Sequence, residues 1–215
     1  SFAAGPTGAF NDGWFVVRNN TFENNNYGAG GALHINQNPN VTFESNTWYN
    51  NAAARGGHLW ISMLALNKTA TLTMSNETFL TVGGGVESVY VSAVGPTQLE
   101  VTNVTLKTSL VKHFTLLGAA GTNNTLNITS LHTQANTAAF FDLDATWSVT
   151  ELGNLTVESN NSSQAVMTFQ NMPTLTFEHV EWYLPNTTVQ TVQHVMNATE
   201  YQVVLPLFPC EPLLV

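Results

Sequence analysis

The stretch FENNNYGAGGALHI, residues 22–35, decides the fold. Short apolar runs flank three Asn and a Gly-Ala-Gly-Gly cluster. Asn and Gly take left-handed backbone angles at the least steric cost, so this is turn chemistry set between two strands. A second copy follows at once, FESNTWYNNAAARGGHLWI at 43–61. A chain that repeats strand, turn and strand at such short range is a candidate repeat fold.

The pattern recurs as NTFEN, VTFES, LTMSN, LEVTN, LNITS, LTVES and LTFEH, centred on Phe22, Phe43, Met74, Val101, Ile128, Val157 and Phe177. The intervals are 21, 31, 27, 27, 29 and 20 residues. Two residues before each centre stands Asn20, Val41, Leu72, Leu99, Leu126, Leu155 or Leu175. The residues on either side of the centre are mostly Thr or Glu. Period-two alternation marks a strand with one buried and one wet face. The residue two past the centre is small and polar in all but the last copy, which reads as a turn. A second apolar run follows each first one: GALHI, HLWIS, VYVSA, HFTLLG, AAFFDL and AVMTF, with VQTVQHV as a weaker copy. Helical periodicity is absent.

Repeats of this length, built from short strands alone, predict an all-β chain. The expected fold is one right-handed parallel β-helix over residues 1–215, with about seven to eight coils stacked ~4.8 Å apart. A β-sandwich also accommodates strands at this spacing.

The paired motifs FENN (Phe22 to Asn25) and GGAL (Gly30 to Leu33), followed by FESN (Phe43 to Asn46), resemble the FxxN and GGA-[ILV] repeats of chlamydial polymorphic outer-membrane proteins. That resemblance spans about 40 residues. It implies a right-handed β-helical passenger region and, as one alternative, an adhesin-like surface role. The coil pattern also resembles pectin-lyase-like architecture.

Composition narrows the function classes. Lys and Arg number five against 14 Asp and Glu, for a formal charge of −9. Counterion release on nucleic acid needs clustered cations, so no nucleic-acid role is expected. No apolar run is long enough to span a membrane. Surface polarity comes from 25 Asn and 29 Thr rather than from charge. N-x-S/T stands at Asn19, Asn40, Asn67, Asn76, Asn103, Asn123, Asn127, Asn154, Asn160, Asn161, Asn186 and Asn197, twelve in all. Composition alone gives about five, so the excess points to N-linked glycans and a secreted or cell-surface location. Cys210 has no second Cys in the chain to pair with. The start at Ser1 without Met, and the apolar end VVLPLFPCEPLLV, fit a processed chain or a piece of a longer one.

Catalytic chemistry is thinly represented. Carbohydrate-active β-helices resemble this architecture, but the chain has only three Asp (Asp12, Asp142, Asp144) and two Arg (Arg18, Arg55). Alternation puts Asp142 and Asp144 of FFDLDA on one side of a strand, a pair able to serve acid/base work or sit in solvent. Glu23 and Glu44, and likewise Glu158 and Glu178, are expected at stacked positions. The six His lack metal-ligand spacing and read as turn or wet-face residues, with His34 and His58 in equivalent strands. Trp14, Trp48, Trp60, Trp147 and Trp182 are core and corner residues, or sugar-stacking surfaces. The expectation is a non-catalytic structural protein with no metal and no cofactor: an extracellular fibre or coat subunit self-associating through uncapped ends. The alternative is a carbohydrate-active or glycan-binding β-helix.

Overall fold

In the computed structural model the chain is described over residues 2–4, 13–64, 68–80, 84–107, 111–134, 141–158, 167–170, 177–183, 194–197 and 200–203. Every regular element among them is a β-strand. A short β1 (Phe2–Ala4) precedes four coils of three strands each. The first holds β2 (Trp14–Arg18), β3 (Thr21–Glu23) and β4 (Leu33–Asn38). The second holds β5 (Asn40–Glu44), β6 (Thr47–Tyr49) and β7 (Leu59–Met63). The third holds β8 (Ala70–Ser75), β9 (Thr78–Phe79) and β10 (Glu87–Ala93). The fourth holds β11 (Thr97–Thr102), β12 (Val104–Lys107) and β13 (Lys112–Gly118).

Like strands of successive coils pair in parallel, so the coils stack as a β-helix with three faces. The β-sandwich is thereby excluded. Where about seven to eight coils were expected, the described residues form four three-stranded ones. Beyond them the first two strands merge into β14 (Asn124–Gln134), followed by β15 (Phe141–Leu143), and again into β16 (Trp147–Glu158), followed by β17 (Met167–Gln170). β18 (Phe177–Tyr183) pairs with β16. On the third face, β20 (Glu200–Val203) runs antiparallel to β17, and β19 (His194–Asn197) antiparallel to β20. The parallel pattern therefore ends there. No helix among the described residues is long and apolar enough to cross a membrane.

Alternation supplies the core. In β5 and β8 the inward residues Val41, Phe43, Ala70, Leu72 and Met74 are fully buried, while the residues between them are half-exposed. Aromatic rings form a row along the axis. Phe22 stacks on Trp48 at 4.3 Å, Trp48 on Phe79 at 5.9 Å, and Phe114 on Phe141 at 4.7 Å. Phe79 meets Phe114 edge-on at 5.7 Å, which closes the row.

The register corrects two of the sequence anchors. Val17, Phe43, Met74, Val101, Ile128, Leu152 and Phe177 are the stacked residues, at intervals of 26, 31, 27, 27, 24 and 25. Phe22 stacks instead with Trp48 on the second face, and Val157 with Thr133. The stackings expected for Glu23 with Glu44, and for Glu158 with Glu178, fail for the same reason. Glu23 lies opposite Tyr49, Glu158 opposite Tyr183, and Glu44 opposite Arg18, with which it forms an ion pair at 2.7 Å. That pair is solvent-exposed on both sides, so its contribution is at most about 1 kcal/mol.

Candidate functional site: the corner rows

The first corner of each coil has a fixed three-residue grammar. Its outermost residue is left-handed: Asn19, Ser45, Asn76 and Asn103 have φ of 55°, 59°, 54° and 52°. All four are exposed. The first three pass their backbone N–H to a carbonyl of the next coil, on Glu44, Ser75 and Thr102 respectively. The Asn103 amide nitrogen donates to Asn76 Oδ1 at 2.7 Å, continuing the tie along the outside. The next residue in each coil is Asn20, Asn46, Glu77 or Val104, and the last three of these are buried. The third residue is always Thr: Thr21, Thr47, Thr78 and Thr105 lie in register as an outward row.

This grammar places a left-handed Asn two residues before an outward Thr. The motif N-x-T at Asn19, Asn76 and Asn103 therefore has a backbone reason, whatever its chemical use. The other sequons are placed less uniformly. Asn123 is exposed in the turn before β14, and Asn40 is half-buried at the start of β5. Asn127 is half-buried in β14, and its side-chain oxygen is buried without a partner. Asn154 lies in β16 opposite Ser130, in line with the same corner, and Asn197 lies in β19. Asn67, Asn160, Asn161 and Asn186 fall outside the described residues, as does Cys210.

The second corner repeats the device. Asn24 and Asn50 are left-handed at 54° and 47°, followed by Asn25 and the fully buried Asn51. The two FxxN segments thus belong to different corners: Phe22 to Asn25 matches Trp48 to Asn51, and Phe43 to Asn46 matches Met74 to Glu77. In each, an inward apolar residue is followed by an outward one, a left-handed one and an inward polar one. The third corner uses glycine. Gly30 and Gly56 have φ of 62° and 56°, and a Cβ on Gly31 would meet Gly57 O at 2.2 Å. The cluster is therefore required for close approach of coils as well as for turning.

Two buried polar nodes hold these corners, and neither was expected. Glu77 Oε1 accepts from the backbone and side-chain nitrogens of Asn46, at 3.0 and 2.9 Å. Its Oε2 accepts from Trp48 Nε1 at 2.6 Å. Burial pushes the carboxyl up to about 7, with those three N–H donors pulling it back. His58, read from sequence as a turn or wet-face residue, is instead fully buried. Its Nε2 meets Leu80 O at 3.0 Å and its Nδ1 meets the Asn51 amide at 2.9 Å. Burial lowers it to about 3; the Leu80 carbonyl opposes this and nearby His113 adds to it. His34 lies in β4 and His58 immediately before its equivalent strand β7, but the two are out of register: His34 lies opposite Trp60 and stacks on it at 4.9 Å.

Of the remaining candidates, Asp144 and Glu87 are engaged in bonds to the backbone. Asp142 and Asp144 do alternate to one side, each flanked by buried Phe141 or Leu143. Asp144, however, accepts from Gly118 N at 2.8 Å and from both the backbone N and the hydroxyl of Thr146, at 2.9 and 2.5 Å. Buried Glu87 accepts from Gly56 N at 2.9 Å and faces Arg55 at 3.5 Å, whose guanidinium lies over Tyr90. Among the described residues no three His, Cys, Asp or Glu side chains group as a metal site.

Fold and corner grammar together define a parallel β-helix repeat protein. No protein-family model, curated protein or solved structure matches the chain.

Proposed function

We propose that this chain is an N-glycosylated extracellular structural protein, a fibre or surface-coat rod that makes contact through its ends. The observation that carries the reading is the state of the first coil. Phe15, Val17 and Phe22 point inward yet stay only half-buried, whereas their partners one coil on, Val41, Phe43 and Trp48, are fully buried. Trp14 beside them is 72% exposed. Among the described residues β2 and β3 are edge strands, and a strand edge over exposed core residues is a template for another strand. The other side of the described stack differs, because its third face continues with the antiparallel β20 and β19. Contact between copies is then heterologous and directional, the kind that builds filaments.

The exposed row Asn19, Asn76 and Asn103 supplies glycan acceptors along one ridge. The local likeness of FENN and GGAL to chlamydial passenger repeats is in keeping with a surface-displayed rod. With Asp144 engaged by Gly118 and Thr146, no observation favours the carbohydrate-active alternative.

Expression through a eukaryotic secretory pathway tests both parts. Trypsin cutting after Lys68 and Lys107 leaves Asn76 and Asn103 on one peptide, which enzymatic deglycosylation and mass spectrometry will read. Glycan is expected at Asn19 and on that peptide; bare asparagines at all three would end the glycoprotein reading. Sedimentation and electron microscopy should show end-to-end chains of particles, and discrete monomers at every concentration would end the assembly reading.

A further inference from the structure

Asn51 has two N–H donors and two acceptor lone pairs, and all four are used. Its Oδ1 accepts from the backbone and side-chain nitrogens of Asn25 in the coil before, at 3.0 and 2.8 Å. Its Nδ2 donates to Phe22 O at 2.9 Å and to His58 Nδ1 at 2.9 Å. The amide cannot turn over without losing the Asn25 and Phe22 bonds. This fixes the imidazole: Nδ1 carries the lone pair, and Nε2 carries the proton that goes to Leu80 O. The relay therefore links three coils, from Asn25 through Asn51 and His58 to Leu80.

We propose that this relay is an acid-sensitive latch on the first coil: a proton from solvent on His58 Nδ1 sets donor against donor, breaks the bond to Asn51, and unfastens the corner that Asn51 holds. Among the described residues, no carboxylate bears on the ring to favour its charged form. Phe79 lies beside it at 5.9 Å, and Ser88 is its stacked neighbour through the His58 N–H to Ser88 O bond. The titratable group that bears on it, His113, also disfavours the charged form. Glu77 is engaged by Trp48 and Asn46, and its protonation in acid favours the folded state, so it opposes this opening rather than causing it. The consequence is local. Release of Asn51 frees the turn at Asn24 to Tyr27 and loosens the coil whose edge faces solvent.

The opened corner exposes a histidine with the ordinary value of 6.5. Opening therefore grows about tenfold per pH unit below that value, roughly a hundredfold between pH 7.5 and 4.5. Hydrogen exchange on the intact chain, corrected for intrinsic rates, reads this directly. Residues 20–32 are expected to gain about that factor in opening while residues 97–107 in the fourth coil change far less. His58→Gln keeps an acceptor for Asn51 and a donor for Leu80 but cannot titrate, and its first coil should hold equally at both pH values. Equal loss in the two segments, or an acid response in His58→Gln as large as in the parent, overturns the latch. Should that variant not fold, imidazole nitrogen shifts of the parent decide: Nε2–H with bare Nδ1 at neutral pH is expected, and the opposite tautomer refutes it.

Discussion

The Glu77 and His58 nodes can be laid side by side. Both are buried against the same aromatic row, Trp48 and Phe79, and both grip an Asn of a neighbouring corner. They differ in what they offer. Glu77 only accepts, and three N–H groups converge on it. His58 accepts at one nitrogen and donates at the other. A corner of this fold thus specifies a bond across coils rather than a residue type, and ionisable groups fill that role with opposite responses to acid. His58, at about 3 when folded and 6.5 when free, contributes stability present above 6.5 and lost as pH falls towards 3. Glu77, at about 7 when folded against 4.5 when free, contributes stability present below 4.5 and lost as pH rises through 7. The two slopes oppose each other between 4.5 and 6.5, and below 4.5 only His58 acts.

The largest test of this contrast is acid unfolding. Urea midpoints should be nearly flat between pH 4.5 and 6.5 and fall steeply below. Of the up to about 5 kcal/mol that full titration of His58 removes, about 2 kcal/mol falls below pH 4.5, and His58→Gln should abolish most of that fall. A parent protein that stays flat to pH 3 would refute the assignment. Next in size is Trp48→Ala, which empties the aromatic row and strips Glu77 of a donor. A loss of about 3–5 kcal/mol is expected in chemical denaturation at neutral pH. Trp48→Phe keeps much of the packing and removes only the indole N–H. Its cost, about 1–3 kcal/mol, should grow from pH 5 to pH 8 as Glu77 ionises, and a pH-independent cost would contradict the node. The smallest effect concerns Ser45, a left-handed position without the Asn used at Asn19, Asn76 and Asn103. Ser45→Gly should raise stability by up to about 1 kcal/mol, measurable as a higher thermal midpoint.

The alternation at Val41, Phe43, Leu72, Met74, Leu99 and Val101 made the fold class and three successive registers, from Phe43 to Ile128, legible, because a strand with one buried face writes its period into the chain. The anchors failed at Phe22 and Val157 for separate reasons. One corner device occurs twice per coil, so FENN and FESN look alike while lying on different faces. In β16 the corner straightens, and the pattern slides along an unbroken strand. The sequons were legible as motifs, and their corner geometry was not. Glu77 and His58 were hidden because a lone Glu or His looks like surface. The usable signal was position: Met74-x-x-Glu77 aligns with Phe43-x-x-Asn46, which puts an acid where a buried amide is needed.

The direction of the ties between coils has a mechanical consequence. Backbone bonds such as Asn76 N to Thr102 O, and side-chain ties such as Asn46 to Glu77, all run along the rod. Tension applied along the axis loads the bonds of one coil boundary together, so the rod resists until a boundary fails and then parts there. A pull on the chain from the first coil peels those bonds singly, at lower force. Such a body is strong as a strut and weak as a thread.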